Sequence, residues 1–202
     1  SGTSNLTVNG KLWLSGGNLS LTSGTIGSTL NLEGDLEIAN GYFIKKTGSG
    51  SGLINFNGSS LQTLTFIGSG SLQNAINLTI DNPAGITLAA NTTLPVNANS
   101  ILTRVQGSLT AASGAGIFYG NNSALLSYAS SGSNALTTTS VEWPASNGPS
   151  RVEINSSSSE PVMLHETRSL TGNSSNICLV LASGRIGLGN NNLIIENNAT
   201  GA

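Results

Sequence analysis

The sequence contains very few of the residues from which most enzyme and metal sites are built. Of its 202 residues, one is a cysteine, one is a histidine and only 8% are charged. A zinc site needs three or four ligands, mostly Cys and His, which this chain cannot supply. Seven Lys and Arg against nine Asp and Glu give a net charge of −2. Because phosphate-binding surfaces need clustered basic residues, we predict no nucleic-acid partner.

Disulfides and long apolar runs are missing as well. The single cysteine, Cys178, has no second cysteine to pair with, and we interpret it as a small apolar residue and not as a reactive thiol. No apolar run approaches the roughly 18 residues of a membrane-spanning helix, and neither a signal peptide nor an initiator methionine is present. We therefore predict no membrane-spanning segment and expect the sequence to be part of a longer chain.

Short runs of alternating apolar residues recur along the whole chain. In the clearest unit, Asn77–Leu88, two such runs flank a polar turn at Asp81–Gly85. An apolar residue at every second position is typical of a half-buried strand. Gly and Asn suit the turns between strands because both tolerate positive φ. The sequence therefore predicts an ordered all-β protein.

The strand pattern itself repeats after about 75 residues, since Leu78 and Ile80 correspond to Val152 and Ile154. Such a period is typical of a solenoid, whose units bury their apolar faces against their neighbours. We predict a right-handed parallel β-helix of roughly nine short coils, each of roughly 20 to 25 residues. At about 4.8 Å per coil the rod would be roughly 40 to 45 Å long. Antiparallel β-sandwich repeats are the alternative, because short strands joined by turns also give this spacing.

The predicted domain organisation is a single continuous solenoid over residues 1–202. Three coils make one supermodule, and we place two supermodules at about 53–125 and 126–202. Residues 1–52 would then be the end of a preceding supermodule.

Three acidic residues, Glu33, Asp35 and Glu37, form the candidate metal site. On a strand, every second side chain points to the same side, so the three carboxylates would form a row. Such a row could bind Ca²⁺, or supply the acid and base of a β-helix polysaccharide-degrading enzyme. The alternative is a solvated outer face. Calcium-binding β-roll repeats need recurring Asp, and this chain has two, so we predict that it has no cofactor.

Trp143 and Tyr128 are the candidate ligand-binding residues, because aromatic rings stack on sugar rings. Trp143 precedes Pro144 in a loop between coils, where the alternative role is to pack a coil corner. The only histidine, His165, is opposite in parity to Val162 and Leu164, so we expect it to face solvent. A catalytic triad would need a serine elbow, which the sequence lacks.

Threonine pairs such as Thr63/Thr65 and Thr137/Thr139 raise the possibility of a flat, ice-binding array. We expect that these pairs do not recur at the same position of successive coils, so no regular array is predicted.

At Asn77–Leu88 and Glu142–Pro149 the chain resembles a known type of repeat. It is similar to the low-charge β-solenoid repeats of secreted and surface proteins of Bacteroidetes-type bacteria, which carry units like Asn-Leu-Thr-Ile-Asn-Asn and an insert like Glu-Trp-Pro-Ala…Gly-Pro. The resemblance implies an adhesin-like role, secretion to the bacterial cell surface and export with a C-terminal sorting domain. No such sorting domain is visible here, and Ser156–Ser159 replaces the glycine turn of the first copy.

We therefore expect a non-catalytic extracellular structural or adhesive segment of a large surface protein or filament. Its partners would be neighbouring repeats, or copies of itself stacked end to end, together with surface glycans. The alternative is a carbohydrate-binding module of a secreted protein, with a β-helix polysaccharide-degrading enzyme as a third possibility. Uniform repetition at low charge favours the structural role, since a lyase or hydrolase needs acids and bases gathered from adjacent coils.

Overall fold

The computed structural model describes residues 4–22, 24–120, 123–172 and 178–197. This part of the chain contains 23 strands and no helix, so none of it forms a helix that could cross a membrane. The strands are β1 (Ser4–Val8), β2 (Leu12–Leu14), β3 (Leu19–Thr22), β4 (Ser28–Leu32), β5 (Leu36–Ile38), β6 (Phe43–Lys46), β7 (Gly52–Phe56), β8 (Gln62–Phe66), β9 (Ser71–Gln73), β10 (Ile76–Asp81), β11 (Ile86–Leu88), β12 (Thr93–Val96), β13 (Ile101–Gln106), β14 (Leu109–Ala111), β15 (Gly116–Tyr119), β16 (Leu125–Tyr128), β17 (Leu136–Thr137), β18 (Arg151–Asn155), β19 (Val162–Met163), β20 (Arg168–Gly172), β21 (Leu179–Ser183), β22 (Ile186–Gly187) and β23 (Leu193–Asn197).

The strands stack in parallel as a β-solenoid of eight coils. One face, the main sheet, has the strand order β1-β4-β7-β10-β13-β16-β18-β21. Its register advances by 24 residues per coil from Leu6 to Leu126, and then by 26 to Val152 and by 27 to Leu179. The predicted β-solenoid is confirmed. The described residues form eight coils instead of roughly nine. Each coil has 24 to 27 residues, at or above the upper end of the expected length of roughly 20 to 25 residues. The right-handed sense stays a prediction.

The other two faces are made of shorter sheets. The second face consists of β2-β5-β8-β11-β14 followed by β17-β19-β22, and the third face consists of β3-β6-β9, β12-β15 and β20-β23. Each coil therefore contributes one strand to each face, except the sixth coil. After β17, residues 138–150 form no strand, so the third face lacks a strand there. We call residues 138–150 the insert.

The core consists of columns of apolar residues, one residue per coil, that point into the solenoid. One column of the main sheet runs from Leu6 through Leu78 to Val152, so the predicted correspondence of Leu78 and Val152 places them three coils apart. Its members between the end coils are fully buried. Burial of each such side chain contributes roughly 1.5–3 kcal/mol. The predicted supermodule boundaries stay a prediction, and their ends at 1–3 and 198–202 lie outside the described residues.

The predicted turn after β10 is confirmed, and its side chains form a buried polar corner. Asn82 is buried and donates to Ser60 O at 2.7 Å and to Gln62 Oε1 at 2.9 Å, while its own side-chain oxygen accepts from Ala84 N at 2.9 Å. Gln62 in turn donates to Leu32 O at 2.9 Å. Gly85 has a φ of 82°, which favours glycine there. These bonds join successive coils at one corner of the solenoid.

Candidate functional site

The insert turns into the core instead of lying on the surface. Trp143 N donates to Thr139 O at 3.0 Å, which closes a tight turn, and this turn directs Glu142 inward. Glu142 is fully buried and forms an ion pair with Arg104 of β13. Arg104 pairs in register with Ile80 and occupies a position in an otherwise apolar core column. The insert, with its buried Glu142 paired to Arg104, thus takes the place of the missing strand of the third face.

Both carboxylate oxygens of Glu142 have partners within the protein. Besides the Arg104 guanidinium, Thr139 N donates to Oε1 at 2.8 Å and the Thr139 hydroxyl donates to Oε2. Tyr128 Oη lies 3.4 Å from Oε1, and Tyr119 Oη donates to the Glu142 carbonyl at 2.5 Å. A buried charge is stabilised when it is paired and hydrogen-bonded. Glu142 meets this condition at both oxygens, whereas the buried Arg104 Nε has no hydrogen-bond partner among the described residues. We call Arg104, Glu142, Thr139, Tyr119 and Tyr128 the buried latch.

The latch changes the ionisation of its two tyrosines. Burial raises the pKa of Tyr119 well above its ordinary value of 10.0, and the negative charge of Glu142 raises it further. Burial also raises the pKa of Tyr128, with Glu142 adding to the effect and the Arg104 charge opposing it. The Arg104 guanidinium lies 5.9 Å from the centre of the Tyr128 ring. Both phenols are therefore held in the protonated, hydrogen-bonding form.

Trp143 and Tyr128, the candidates for sugar stacking, are both fully buried. Neither ring has a free face on which a sugar could stack, so that prediction is wrong for these two residues. Trp143 packs within the hydrophobic core, and its carbonyl accepts from Arg168 Nε of the following coil. Both residues anchor the insert, which is the corner-packing role that the sequence left open.

A second polar cluster surrounds the histidine. His165 faces solvent only in part, because its side chain is half-buried and one-fifth exposed. His165 Nδ1 lies 2.5 Å from Thr138 Oγ1, and its Nε2 lies 2.7 Å from Arg168 Nη2. Arg168 is buried and also binds the exposed Glu166. The hydrogen bond from Arg168 lowers the pKa of Glu166 below its ordinary value of 4.5. The cluster ties the insert to β20.

The prediction that Glu33, Asp35 and Glu37 form a row of carboxylates along one strand is also wrong. β4 ends at Leu32 and β5 begins at Leu36, so the acids span a corner instead of sharing one strand. Asp35 Oδ1 accepts from Thr63 N at 2.7 Å, and Glu37 forms an ion pair with Lys11 at 2.6 Å. Within the described residues no three His, Cys, Asp or Glu side chains are grouped closely enough to hold a metal ion. The calcium hypothesis therefore loses its geometric support.

The signal for this corner was a glycine within the apparent strand. A Cβ on Gly34 would lie 2.5 Å from the backbone of Gly10 in the preceding coil. Such an approach is too close for any side chain, so the chain bends where the alternation of residues appears continuous.

Threonines recur along the second face more regularly than expected. Thr63, Thr87 and Thr110 are in register on three successive coils, and the hydroxyls of Thr87 and Thr110 lie 2.7 Å apart. The pair Thr63/Thr65 itself does not recur, since Ala89 and Ala112 stand two residues after Thr87 and Thr110. The column is one residue wide, because the parallel column includes Glu37 beside Thr65. It forms a hydrogen-bonded ladder that joins coils, not a two-dimensional array.

A groove lies between β15 and the insert. It has a volume of about 790 Å³, and every residue that lines it is uncharged. Its floor includes Gly116 and Phe118, and its wall includes Pro144, Asn147 and Ser150. Phe118 is 58% exposed. Among the described residues β15 pairs only with β12, so its other side borders the insert.

The two ends of the solenoid expose core positions. Leu6 of the first coil is 51% exposed, although Leu30 beneath it in the same column is fully buried. At the other end Leu181 is 54% exposed above the buried Ile154, and Ile195 is 52% exposed. In a solenoid each coil covers the apolar residues of its neighbour. Within the described part of the chain, the end coils therefore present apolar residues and strand edges that pair with no further strand.

Comparison with known proteins gives no relative for this chain: no family model, no curated protein and no solved structure matches it.

Sequence reasoning missed Arg104 and Phe118. Arg104 shares the parity of Leu102 in its strand, so a charge at an inward position was the available signal for a buried partner. Phe118 is opposite in parity to Ile117 and Tyr119, so alternation was the available signal that it faces outward, but its position beside the insert had no local signal.

Proposed function

We propose that the chain is a non-catalytic structural or adhesive segment of a large secreted or cell-surface protein, whose ends are contact surfaces. The single observation that carries the proposal is the exposure of core columns at both ends, at Leu6 and at Leu181. A neighbouring repeat or a second copy of the chain would bury these residues and pair the strand edges.

The sides of the solenoid support a mechanical role. Ladders of uncharged polar side chains join successive coils, as in the bond of 3.2 Å from Asn55 Nδ2 to Asn31 Oδ1 and in the Thr87–Thr110 pair. Buried corner bonds and the buried latch add cross-coil contacts inside. A structure braced in this way along its axis suits a stiff spacer or a filament component, and its exposed hydroxyl and amide groups suit contact with surface polysaccharides.

Sedimentation velocity over a range of protein concentrations tests the end contacts. The wild-type chain is expected to form oligomers whose size increases with concentration. Leu6→Glu and Leu181→Glu each place a charge in one end surface, and each is expected to abolish these oligomers. Leu61→Glu is the matched control, because Leu61 is an equally exposed leucine (58%) located away from both end coils.

Mixing the two end variants gives a sharper result. In head-to-tail stacking, the intact end of one variant fits the intact end of the other, so the mixture is expected to form dimers and nothing larger. A wild-type chain that stays monomeric at every concentration, or that responds equally to Leu61→Glu, would contradict the proposed end contacts.

A further inference from the structure

We propose that the groove between β15 and the insert binds a neutral polysaccharide, with Phe118 as the stacking platform. This inference goes beyond the structural role and is independent of it, because the groove lies on the side of the fifth and sixth coils and not at an end.

Phe118 is the first element of the argument. It points outward from β15, while its neighbours Ile117 and Tyr119 pack on the core, and its ring is 58% exposed. An exposed aromatic ring costs free energy in water and offers a flat apolar surface. The C–H face of a sugar ring is a flat apolar surface of matching size, so stacking would cover both.

The chemistry of the walls selects the class of ligand. All lining residues are uncharged, so an acidic polysaccharide would find no cation to pair with. Hydroxyl and amide groups are present instead, among them those of the exposed Ser146 and Asn147. Neutral donors and acceptors beside an apolar platform match the hydroxyl groups and C–H faces of a neutral sugar.

The insert makes the groove a fixed feature of the fold. Its inner residues, Glu142 and Trp143, are held in the core by Arg104 and Arg168. Its outer residues, including Asn147 with a φ of 54°, rise beside β15 as a wall. A wall held by a buried ion pair and buried hydrogen bonds needs little ordering on binding, which favours affinity. The groove therefore has a rigid wall, an aromatic floor and an open side.

Gly116 provides a way to close the groove without disturbing the fold. A Cβ at Gly116 would meet no atom within 4 Å, and its φ lies outside the left-handed region. Gly116→Trp is therefore expected to fill the groove and leave the solenoid intact. Phe118→Ala removes the platform. Trp13→Ala is the matched control, because Trp13 is an exposed aromatic residue (60%) of the first coil, far from the groove.

The test is binding to immobilised neutral hexasaccharides of glucose and of mannose in both α and β linkage, followed by calorimetry with those that bind. Acidic oligogalacturonate is the charged comparison. At least one neutral hexasaccharide is expected to bind, with a loss of roughly tenfold or more in affinity in Phe118→Ala. Gly116→Trp is expected to abolish binding, and Trp13→Ala to leave it unchanged.

Circular dichroism of each variant verifies that the fold is intact. Absence of binding to every neutral hexasaccharide, binding only to oligogalacturonate, or binding that survives both groove variants would overturn the proposal. Binding of an extended uncharged peptide to the groove in place of any sugar would overturn it as well. Sedimentation of Phe118→Ala separates this proposal from the end contacts, because the variant is expected to self-associate like the wild-type chain.

Discussion

The guanidinium of Arg104 binds the carboxylate of Glu142, which lies 38 residues further along the chain and fills the place of a missing strand. Both side chains are excluded from water. The burial of each charge is tolerated because the opposite charge lies beside it. In the preceding coil the position of Arg104 is occupied by the fully buried Ile80. The latch is therefore the point at which the regular solenoid depends on a specific pair of side chains.

Removal of one partner of the latch is expected to destabilise the protein strongly. Glu142→Gln leaves the Arg104 charge buried without a counter-ion, and the free energy of unfolding should fall by about 3–5 kcal/mol. The double variant Arg104→Met/Glu142→Gln should recover much of this loss, because no unpaired charge remains. Urea unfolding measures both values. Lys11→Ala breaks the exposed pair with Glu37 and should cost less than about 1 kcal/mol. Equal effects of Glu142→Gln and Lys11→Ala would contradict this account.

The protein is expected to lose stability at high pH. Tyr119 and Tyr128 have raised pKa values in the folded state, whereas the unfolded chain releases these protons near pH 10. Above that pH the folded state binds more protons than the unfolded state, so stability falls by about 1.4 kcal/mol per pH unit for each tyrosine. Below pH 10 their contribution is fully present.

Tyrosinate absorbance during a pH titration tests this expectation. Two of the three tyrosines should ionise only together with unfolding. Smooth titration of all three near pH 10, with circular dichroism unchanged, would show that the latch tyrosines are not held as described.

The histidine cluster is expected to weaken in acid. The pKa of Glu166 is lowered in the folded state, chiefly by the hydrogen bond from Arg168. Its contribution is present above the ordinary value of 4.5 and is lost as the pH falls through the lowered folded value. Melting temperatures of the wild type and Glu166→Gln should therefore differ at neutral pH and converge in acid. Glu160→Gln, at an exposed corner of the same coil, is the control. A difference that does not change with pH would argue against a charge interaction.

The buried corner at Asn82 is expected to contribute more than the ladders on the surface. Asn82→Ala removes the partner of Ser60 O and of Ala84 N and one of the two donors to Gln62 Oε1. The loss of these bonds should lower the free energy of unfolding by roughly 1–3 kcal/mol. Asn31→Ala removes the single half-exposed bond to Asn55 and should cost less, because water replaces it. Equilibrium unfolding compares the two. A larger effect at Asn31 would show that the corner bonds are not a main source of stability.

The fold was predictable because its signal is local and repeated. Alternation like that of Leu78 and Ile80 recurs in the main-sheet strand of successive coils, and stacking requires the coils to follow the same pattern. The same alternation led to a wrong prediction of one continuous strand at Leu32–Ile38. The chain turns a corner there, and Gly34 lies so close to the Gly10 backbone that no side chain would fit. Contacts between coils are not visible in a local pattern.

The candidate sites were less predictable, because they depend on the path of the insert. The motif Glu142-Trp143-Pro144 was recognisable in the sequence, but the sequence did not show whether its side chains point into the core or into solvent. A loop that contains Trp and Glu is expected to be exposed. Only the buried Arg104, 38 residues earlier in the chain, explains why Glu142 lies in the core. Phe118, in contrast, is exposed because it alternates with Ile117 and Tyr119, which pack on the core. The sequence does not show that the insert of the next coil lies beside it.

Electron microscopy of the purified chain tests whether it stacks through its ends. We expect long, uniform rods or filaments with a length well beyond that of eight coils, and we expect Leu181→Glu to abolish them. Dispersed short particles of uniform size, unchanged by Leu181→Glu, would contradict it.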